Sequence, residues 1–452
     1  MSTVAAGVLP ARRTATTRLP GVAGTSVVEQ APEPPADADA PPEAVADRAT
    51  QRWVVAATVV GAVWRIGVLI SKWSQGLLFN DSLYYSFQAH SNAHGNWFRL
   101  VFTNGPGAEH PPLASLLMTP ASMLPHAVFW QRATSTVLGI AVIPLLGLLG
   151  LRLGGRRVAI LAACIAAVYP NLWMNDALVM SESTASLLMV VVLLCAWRLH
   201  QRFDRRSAIL LGAVIGLAVL ARSELILLAP LFGFIGWRNH DHRKWIKRAS
   251  LVLVSAGMVV LPWMVYNLTR FEQPVLLSTN DGGVLLGSNC DQTYSGAQIG
   301  GWLTGCFDGF VSLPGEDPSQ LSRRERSAAL HYISNHAGRV PLVVAARLLR
   351  TADLYGLPDL VRMDVADERA RWASWSGIVC WWLLAPFALV GLWRSRRTVG
   401  WLLCPPLLAG VLTAALFYGA HRLRSPMEPV VVVCAAIGIV SCVGVGRSRA
   451  AA

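Results

Sequence analysis

Long apolar stretches recur along most of this chain and constrain its fold more than any other feature. A helix that crosses a bilayer needs about 20 predominantly apolar residues, and ten stretches reach or approach that length. They are 53–71, 127–151, 158–173, 177–197, 207–221, 223–237, 249–266, 373–393, 399–418 and 429–446. The sequence therefore predicts an all-α polytopic membrane protein with about ten transmembrane helices.

Charged residues are scarce. They make up only 14% of the 452 residues, with a net charge of +13, whereas a soluble domain carries about 25% charged residues. This deficit excludes a soluble basic protein that binds nucleic acid, so we expect membrane lipids and no nucleic acid among its partners. The eight cysteines form no CxxC or Cys/His cluster, so no zinc module is indicated.

The placement of Lys and Arg predicts the orientation in the membrane. The loops 152–157, 198–206, 238–248, 394–397 and 447–449 hold 17 of these residues. The opposite short turns hold three, Arg222, Arg422 and Arg424. Because positive loops stay on the cytoplasmic side, we expect a multi-pass protein of the plasma (inner) membrane with both termini cytoplasmic. Two long segments, 72–126 and 267–372, then face the exterior or periplasm.

The N-terminal segment differs from the rest. Residues 1–50 are rich in Ala and Pro, include an acidic run, and contain no aromatic residue. Such a composition cannot bury enough apolar area to fold, and the segment lacks the apolar region of a secretory signal. We expect a disordered cytoplasmic tail over 1–50, a membrane domain over 51–446, and a short cytoplasmic tail over 447–452.

Four short motifs follow one another in the predicted exterior regions. They are Phe79–Tyr85 (FNDSLYY), Glu109–Leu113 (EHPPL), Leu277–Gly283 (LSTNDGG) and Tyr418–Pro426 (YGAHRLRSP). In this order they resemble the GT-C superfamily of membrane glycosyltransferases, and within it the glycosyltransferase 39 branch of protein O-mannosyltransferases and aminoarabinose transferases. The chain looks like a bacterial member of this branch, and more specifically an actinobacterial one. The resemblance spans most of residues 55–440, and it implies a GT-C-like fold with juxtamembrane helices in the two exterior loops.

The resemblance implies transfer of a hexosyl or pentosyl unit from a polyprenyl-phosphate-linked donor to an acceptor hydroxyl. Asp81 lies at a membrane exit, where a carboxylate can take the hydroxyl proton, and such general-base help is worth about 10²–10⁴ in rate. A leaving phosphate needs cations, and Arg binds phosphate through two parallel N–H groups. We therefore assign donor-phosphate binding to the three arginines of the short outer turns, Arg222, Arg422 and Arg424.

Other residues are expected to support this chemistry. Glu182, at the outer end of the fourth predicted span, and His110 are supporting catalytic candidates. Substrate-binding candidates are Tyr84, Tyr85, Glu224 and Asp176. Asp81, Asp176 and Glu182 could also meet around a divalent metal ion, which spacing in sequence cannot show. Each carboxylate could instead be a helix cap or an interfacial group facing water, and His110 a rigid-turn residue beside two prolines.

The second long segment contains the only two cysteines outside the predicted spans, Cys290 and Cys306. An exported compartment permits disulfides, so we expect these two to be bonded, with two free thiols as the alternative. Residues 340–356 have helical periodicity, with Arg347 and Arg350 on one face. They predict an amphipathic helix on the outer leaflet or, equally, a solvated face.

Two functions of other classes stay open. A flippase or transporter for lipid or sugar would need no transfer chemistry, and its signature is charged residues at mid-membrane. Here the informative polar residues gather at outer helix ends, which favours transfer. A scaffold without activity is the other alternative. The sequence does not identify the sugar, or whether the acceptor is a cell-envelope glycan, a lipid or a protein.

Overall fold

The computed structural model describes residues 47–101, 105–237 and 240–450, with side chains to residue 443. The first half contains α1 (Arg48–Ser71), α2 (Asp81–Ala93), α3 (Leu113–Met118), α4 (Ala127–Val168), α5 (Pro170–Trp173), α6 (Glu182–Arg202), α7 (Arg205–Ala221), α8 (Leu228–Gly233) and α9 (His242–Leu268). The second half contains α10 (Asp281–Gly287), α11 (Asp291–Tyr294), α12 (Pro318–Asn335), α13 (Val340–Thr351), α14 (Leu357–Ala366), α15 (Arg371–Ser395), α16 (Gly400–Leu416), α17 (His421–Arg424) and α18 (Glu428–Ala450). These described residues form no β-sheet; one isolated bridge joins Arg99 and Pro106. The predicted all-α fold is thus confirmed.

The predicted N-terminal tail lies largely outside the described residues. The described residues begin at Asp47, whose side chain accepts a hydrogen bond from the Thr50 backbone N–H and caps α1. The first helix therefore begins three residues before the predicted boundary at residue 51. The last helix continues to Ala450, past the predicted boundary at residue 446.

Six helices in the described part of the chain are long and apolar enough to cross a membrane. They are Arg48–Ser71, Ala127–Val168, Glu182–Arg202, His242–Leu268, Arg371–Ser395 and His421–Val443. At 1.5 Å per residue, the 24-residue α1 is about 36 Å long, more than a hydrocarbon core of about 30 Å. Shorter apolar helices, such as Ser223–Gly233 and Gly400–Leu416, account for other predicted spans.

The 42-residue α4 is two helices joined by a tight reversal. Gly155 has φ 77°, a left-handed value that favours glycine. A Cβ on Gly150 would lie 3.1 Å from the Cα of Ala159, so the chain has turned back on itself. The two spans predicted over 127–151 and 158–173 are these two arms.

Central and peripheral helices differ in what they bury. In α6 and α18 most side chains are buried, whereas α1, α9 and α15 expose large apolar side chains such as Val63 and Leu383. Close contact between α15 and α18 depends on glycine, because a Cβ on Gly391 would lie 1.9 Å from the Cys434 carbonyl oxygen. Small residues at such contacts let membrane helices approach closely.

The disulfide predicted in the second long segment is present. Cys290 and Cys306 are bonded, with 5.6 Å between their Cα atoms. Trp302, inside the loop they close, has its indole nitrogen 2.2 Å from where a Cβ on Gly287 would lie. The bridge therefore closes a loop that packs on α10.

We expect the bridge to matter locally. Closing a loop of about 15 residues stabilises the folded state by about 3 kcal/mol. The Cys290→Ser/Cys306→Ser variant should therefore be cleaved faster within 287–310 under limited proteolysis. A Cys380→Ser variant, which alters a free thiol in α15, should match the wild type. Equal cleavage of all three proteins would contradict this expectation.

The prediction for residues 340–356 is wrong in its exposure. A helix forms there as α13, but Arg347 and Arg350 are buried, 4% and 0% exposed. Arg347 donates to the Ala415 carbonyl oxygen at 3.0 Å and to the Ser288 carbonyl oxygen at 2.9 Å. Arg350 bonds to Asp359. These arginines join α13 to the end of α16 and to α10, so they face neither lipid nor water.

Candidate functional site

Asp81 is the first residue of α2. The Asn80 side chain caps this helix by accepting a hydrogen bond from the Ser82 N–H at 2.8 Å. The Asn80 amide also donates to the Ala366 carbonyl oxygen at 2.8 Å. The start of α2 is therefore held against the residues that precede α15, and this contact fixes the position of Asp81.

Asp81 binds two of the predicted site residues. Its Oδ2 is 2.5 Å from Nη2 of Arg422, and its Oδ1 is 3.5 Å from Nε2 of His110. The Asp81 side chain is 28% exposed, so solvent or an acceptor can reach it. The structure thus brings together three residues that lie up to 341 positions apart in the chain.

Glu182 lies behind this pair, fully buried at the start of α6. Three guanidinium groups surround its Oε1, at 3.2 Å for Arg222, 3.4 Å for Arg422 and 3.8 Å for Arg369. Arg222 also bonds to Glu224 at 2.5 Å. Four elements therefore meet at Glu182: α6, the turn after α7, α17 and the residues before α15.

The contacts around Glu182 leave hydrogen-bonding groups unused. Both oxygens of Glu182 and one nitrogen on each of the three arginines are buried without a hydrogen-bond partner. Such groups are costly to leave unsatisfied. Three converging N–H donors are what a phosphate accepts. The arrangement can therefore bind an anion that replaces the long contacts to Glu182.

The carboxylates near the opening differ in how readily they ionise. Although burial opposes its ionisation, the Arg422 guanidinium and His110 hold the pKa of Asp81 well below its usual range. Burial raises the pKa of Glu109, next to His110 in the chain. Asp81 is thus the fixed negative charge at the opening of the site.

His110 is held by aromatic rings. It stacks on Tyr85, with centroids 5.0 Å apart, and meets the edge of Tyr84 at 5.1 Å. Both tyrosines are buried. The predicted substrate-binding tyrosines therefore orient His110, while their own surfaces are mostly covered.

Two predicted site residues lie in other contacts. Arg424 bonds to Glu428 at 2.6 Å and Asp353 at 2.9 Å, and its guanidinium lies 3.8 Å from the Trp381 ring. These contacts use its donors, so we remove it from the donor-phosphate residues. Asp176 pairs with the buried Arg65 at 2.6 Å. It ties α1 to the segment before α6, and we no longer assign it to substrate.

Sequence reasoning missed Arg369 and its partners. Arg369 bonds to Asp367 at 2.9 Å and to the Asn175 side chain at 3.0 Å. Burial raises the pKa of Asp367, a rise that Arg422 and Arg369 partly offset. Glu182 was singled out as an acidic residue at the outer end of a predicted span. No comparable signal separates Arg369 from the nine other arginines of segment 267–372.

The carboxylates proposed for a divalent ion do not converge. Among residues 47–101, 105–237 and 240–450, no group of three or more His, Cys, Asp or Glu side chains could hold a metal ion. Asp176 is paired with Arg65, and the oxygens of Asp81 and Glu182 face guanidinium groups. The donor set therefore does not fit a divalent cation.

The comparisons with known proteins fit this arrangement. The family model for dolichyl-phosphate-mannose-protein mannosyltransferase matches residues 109–266, a range that includes His110, Glu182 and Arg222. The archaeal oligosaccharyltransferase AglB from Archaeoglobus fulgidus, solved with an inhibitory peptide and a dolichol-phosphate, superposes with a TM-score of 0.52 and 16% identity. The chain has a GT-C fold. That match covers 87% of this chain and 51% of AglB.

Two further solved structures are similar to this chain, and the predicted GT-C-like fold is confirmed. The A. fulgidus oligosaccharyltransferase in complex with Zn and sulfate has a TM-score of 0.51 and 13% identity, over 86% of this chain and 49% of that one. ArnT from Cupriavidus metallidurans, bound to undecaprenyl phosphate, has a TM-score of 0.42 and 15% identity, over 88% and 78%. No curated protein matches the sequence. The chain thus spans about half the length of the oligosaccharyltransferases with its fold.

Proposed function

We propose that this GT-C protein is an integral membrane glycosyltransferase that moves a sugar from a polyprenyl-phosphate-linked donor to an acceptor hydroxyl. The observation that carries the proposal is the cluster at Glu182. Three arginines converge there, two buried and Arg422 partly buried, each with a buried nitrogen that lacks a hydrogen-bond partner, directly beside the partly exposed Asp81. An anion site and a carboxylate are thus adjacent, as transfer from a lipid phosphate requires.

The donor phosphate is assigned to Arg222, Arg369 and Arg422. In the reaction the acceptor oxygen bonds to the anomeric carbon, and the bond from that carbon to the phosphate oxygen breaks. The electron pair stays on the polyprenyl phosphate, whose charge grows in the transition state. Preorganised cations in a dry site stabilise such charge strongly. The AglB structure, which contains dolichol-phosphate, supports a lipid phosphate as the ligand class.

Asp81 is assigned as the base. Its side chain is reachable from outside and remains ionised because Arg422 and His110 stabilise its charge. The acceptor proton moves to Asp81 as the new glycosidic bond forms, when the oxygen has become acidic. A weak base suffices for proton transfer at that late stage. His110, fixed by Tyr84 and Tyr85, orients the carboxylate.

The sidedness and the substrates complete the proposal. The basic loops are assigned to the cytoplasm, which places both termini there and the Asp81 site at the outer face of the plasma membrane. The sugar is a hexose or pentose. The acceptor is a hydroxyl of a cell-envelope glycan, lipid or protein.

A panel assay tests the proposal. Purified protein in nanodiscs is incubated with polyprenyl-phosphate sugars and with glycan, lipid and peptide acceptors. We expect a glycosylated product and an equal amount of free polyprenyl phosphate from at least one pair. Movement of the lipid across a vesicle membrane without any product would show the flippase instead.

The acid dependence of transfer follows from Asp81. A pKa held below the ordinary 3.8 means that Asp81 loses its charge only as the pH falls through that lowered value. The stability that the protein gains from the pairing of Asp81 with Arg422 is likewise fully present above pH 3.8, the ordinary pKa. It is lost as the pH falls through the lowered pKa of the folded protein. We expect kcat/KM to show no one-proton decrease from pH 7 to pH 5 that belongs to Asp81. The Glu109→Gln/Asp367→Asn double variant removes the two nearby carboxyls whose pKa is raised, so a decrease above pH 5 that persists in it would contradict this expectation.

A further inference from the structure

His421 lies between two buried carboxylates that the proposed function does not use. Its Nε2 is 2.5 Å from Oδ1 of Asp353, and its Nδ1 is 2.7 Å from Oδ2 of Asp364. The side chain of His421 is 5% exposed, and those of Asp353 and Asp364 are 0% and 4% exposed. The ring is thus enclosed and faces an anionic oxygen on each side.

A neutral imidazole donates from one nitrogen and accepts at the other. It can therefore satisfy only one of two ionised carboxylates. An imidazolium ion donates from both nitrogens, and its charge offsets part of the cost of burying the two acids. The geometry at His421 is that of an imidazolium ion that is hydrogen-bonded to Asp364 through Nδ1 and in close charge contact with Asp353 at Nε2.

Each of the two carboxylates also contacts an arginine. Asp353 accepts from Nη2 of Arg424 at 2.9 Å, and Asp364 accepts from Nη1 of Arg369 at 3.5 Å. A continuous line of charges thus runs from Arg424 through His421 to Arg369. Arg369 is one of the three arginines around the carboxylate of the donor site.

The backbone around this line is also unusual. Asp353 has φ 57°, a left-handed conformation that is costly for a residue other than glycine. Its carbonyl oxygen accepts a hydrogen bond from the Trp382 indole N–H at 2.8 Å. Strained residues persist where their surroundings over-determine them, often at functional sites. The strain here lies at a partner of His421.

Three parts of the chain meet at His421. Asp353 precedes α14, Asp364 lies in α14, and His421 itself begins α17, where the next residue is Arg422. Any shift of the ring relative to its two carboxylates therefore moves Arg369 and Arg422 relative to each other. Misplacing a binding group by about 1 Å can cost about 10²-fold in rate.

We propose that His421 is a positioning residue for the donor site: as an imidazolium ion it bridges Asp353 and Asp364 and thereby fixes Arg369 and Arg422 around Glu182. The bridge touches neither sugar nor phosphate. This inference rests on the proposed function, since it concerns the same phosphate ligands. It predicts a larger effect on donor binding than on the chemical step.

The test compares binding and turnover in His421→Gln. We expect the Kd for undecaprenyl phosphate and the donor KM to rise about 10- to 100-fold, with a smaller decrease in kcat. Adding Asp364→Asn should restore part of the affinity, because the amide removes a buried negative charge that has lost its imidazolium partner. If His421 were purely structural, His421→Gln would lower thermal stability, and adding Asp364→Asn would not restore the affinity. His336→Gln, which alters a ring stacked on Tyr332 away from the arginines, is the matched control and should equal the wild type.

The outcomes separate the two proposals. If the wild type binds undecaprenyl phosphate and Arg422→Gln loses it, wild-type Kd and KM in His421→Gln overturn the role of His421 alone. If the wild type does not bind the lipid phosphate, the proposed function fails and this inference fails with it. If His421→Gln does not fold, ¹⁵N NMR of histidine-labelled wild type decides: two protonated ring nitrogens at His421 support the bridge, and one unprotonated nitrogen overturns it.

Discussion

Replacing Asp81 with Asn is expected to reduce transfer by about 10²–10⁴-fold. Asparagine keeps the shape of the side chain but cannot take the acceptor proton. Arg422 keeps its contacts with Glu182 and Asp367 at 3.4 and 3.7 Å, so the protein should express and fold normally. The measurement is product formation at saturating donor, with thermal stability recorded on the same preparation.

The matched control for this variant is Asp291→Asn. Asp291 is exposed at the start of α11 and accepts a hydrogen bond from the Tyr332 hydroxyl at 2.7 Å. The amide oxygen of asparagine can still accept that bond, so transfer should be unchanged. A wild-type rate in Asp81→Asn would remove Asp81 from the mechanism.

Loss of Arg422 is the second large effect that we expect. This guanidinium contacts both the base and the buried carboxylate of the donor site, at 2.5 Å from Asp81 and 3.4 Å from Glu182. Hydrogen bonds to charged groups contribute about 1.5–3 kcal/mol each. Arg422→Gln should therefore lower kcat/KM for the donor by at least about 100-fold. Arg422→Lys should recover little of the lost kcat/KM, since an ammonium group lacks the planar pair of N–H donors with which a guanidinium binds phosphate.

The control for the arginine variants is Arg326→Gln. Arg326 forms an exposed pair with Asp281 at 2.6 Å, and exposed pairs contribute about 0–1 kcal/mol. Donor KM should not change in this variant. If Arg422→Gln behaved like Arg326→Gln, the phosphate site would have to lie elsewhere.

The outline of the fold could be predicted from the sequence because lipid imposes a simple rule on helix length and polarity. The rule cannot distinguish a turn made of apolar residues from part of a membrane-spanning helix. The fourth span was predicted over 177–197, yet α6 runs Glu182–Arg202. Residues 177–181 are apolar enough to extend the span, but they form the turns and bends that lead into α6 at Glu182.

Much of the site could be predicted for a related reason. Charges are expensive near lipid, so Arg222, Glu182 and Arg422 were conspicuous against their apolar surroundings, and the structure brings them together. Arg369 was not conspicuous, because segment 267–372 contains ten arginines. Its role depends on the segment between α14 and α15 lying beside the start of α6. No residue spacing in the sequence predicts that tertiary contact.

Arg424 shows the opposite error. It stands two residues from Arg422 on the same short turn, and sequence analysis assigned both the same role. On one turn of helix the two side chains point in different directions. Arg422 faces Asp81, while Arg424 lies over Trp381 with Glu428 and Asp353. Only the structure distinguishes a ligand-facing arginine from one that holds helices together.

The central claim is that the arginines around Glu182 bind the donor phosphate. An experimental structure of the protein with bound undecaprenyl phosphate tests it most directly. We predict a phosphate within hydrogen-bonding distance of Arg222, Arg369 and Arg422, and beside Asp81. A phosphate bound only at the basic loops of the opposite face, with the arginine contacts to Glu182 unchanged, would contradict the claim.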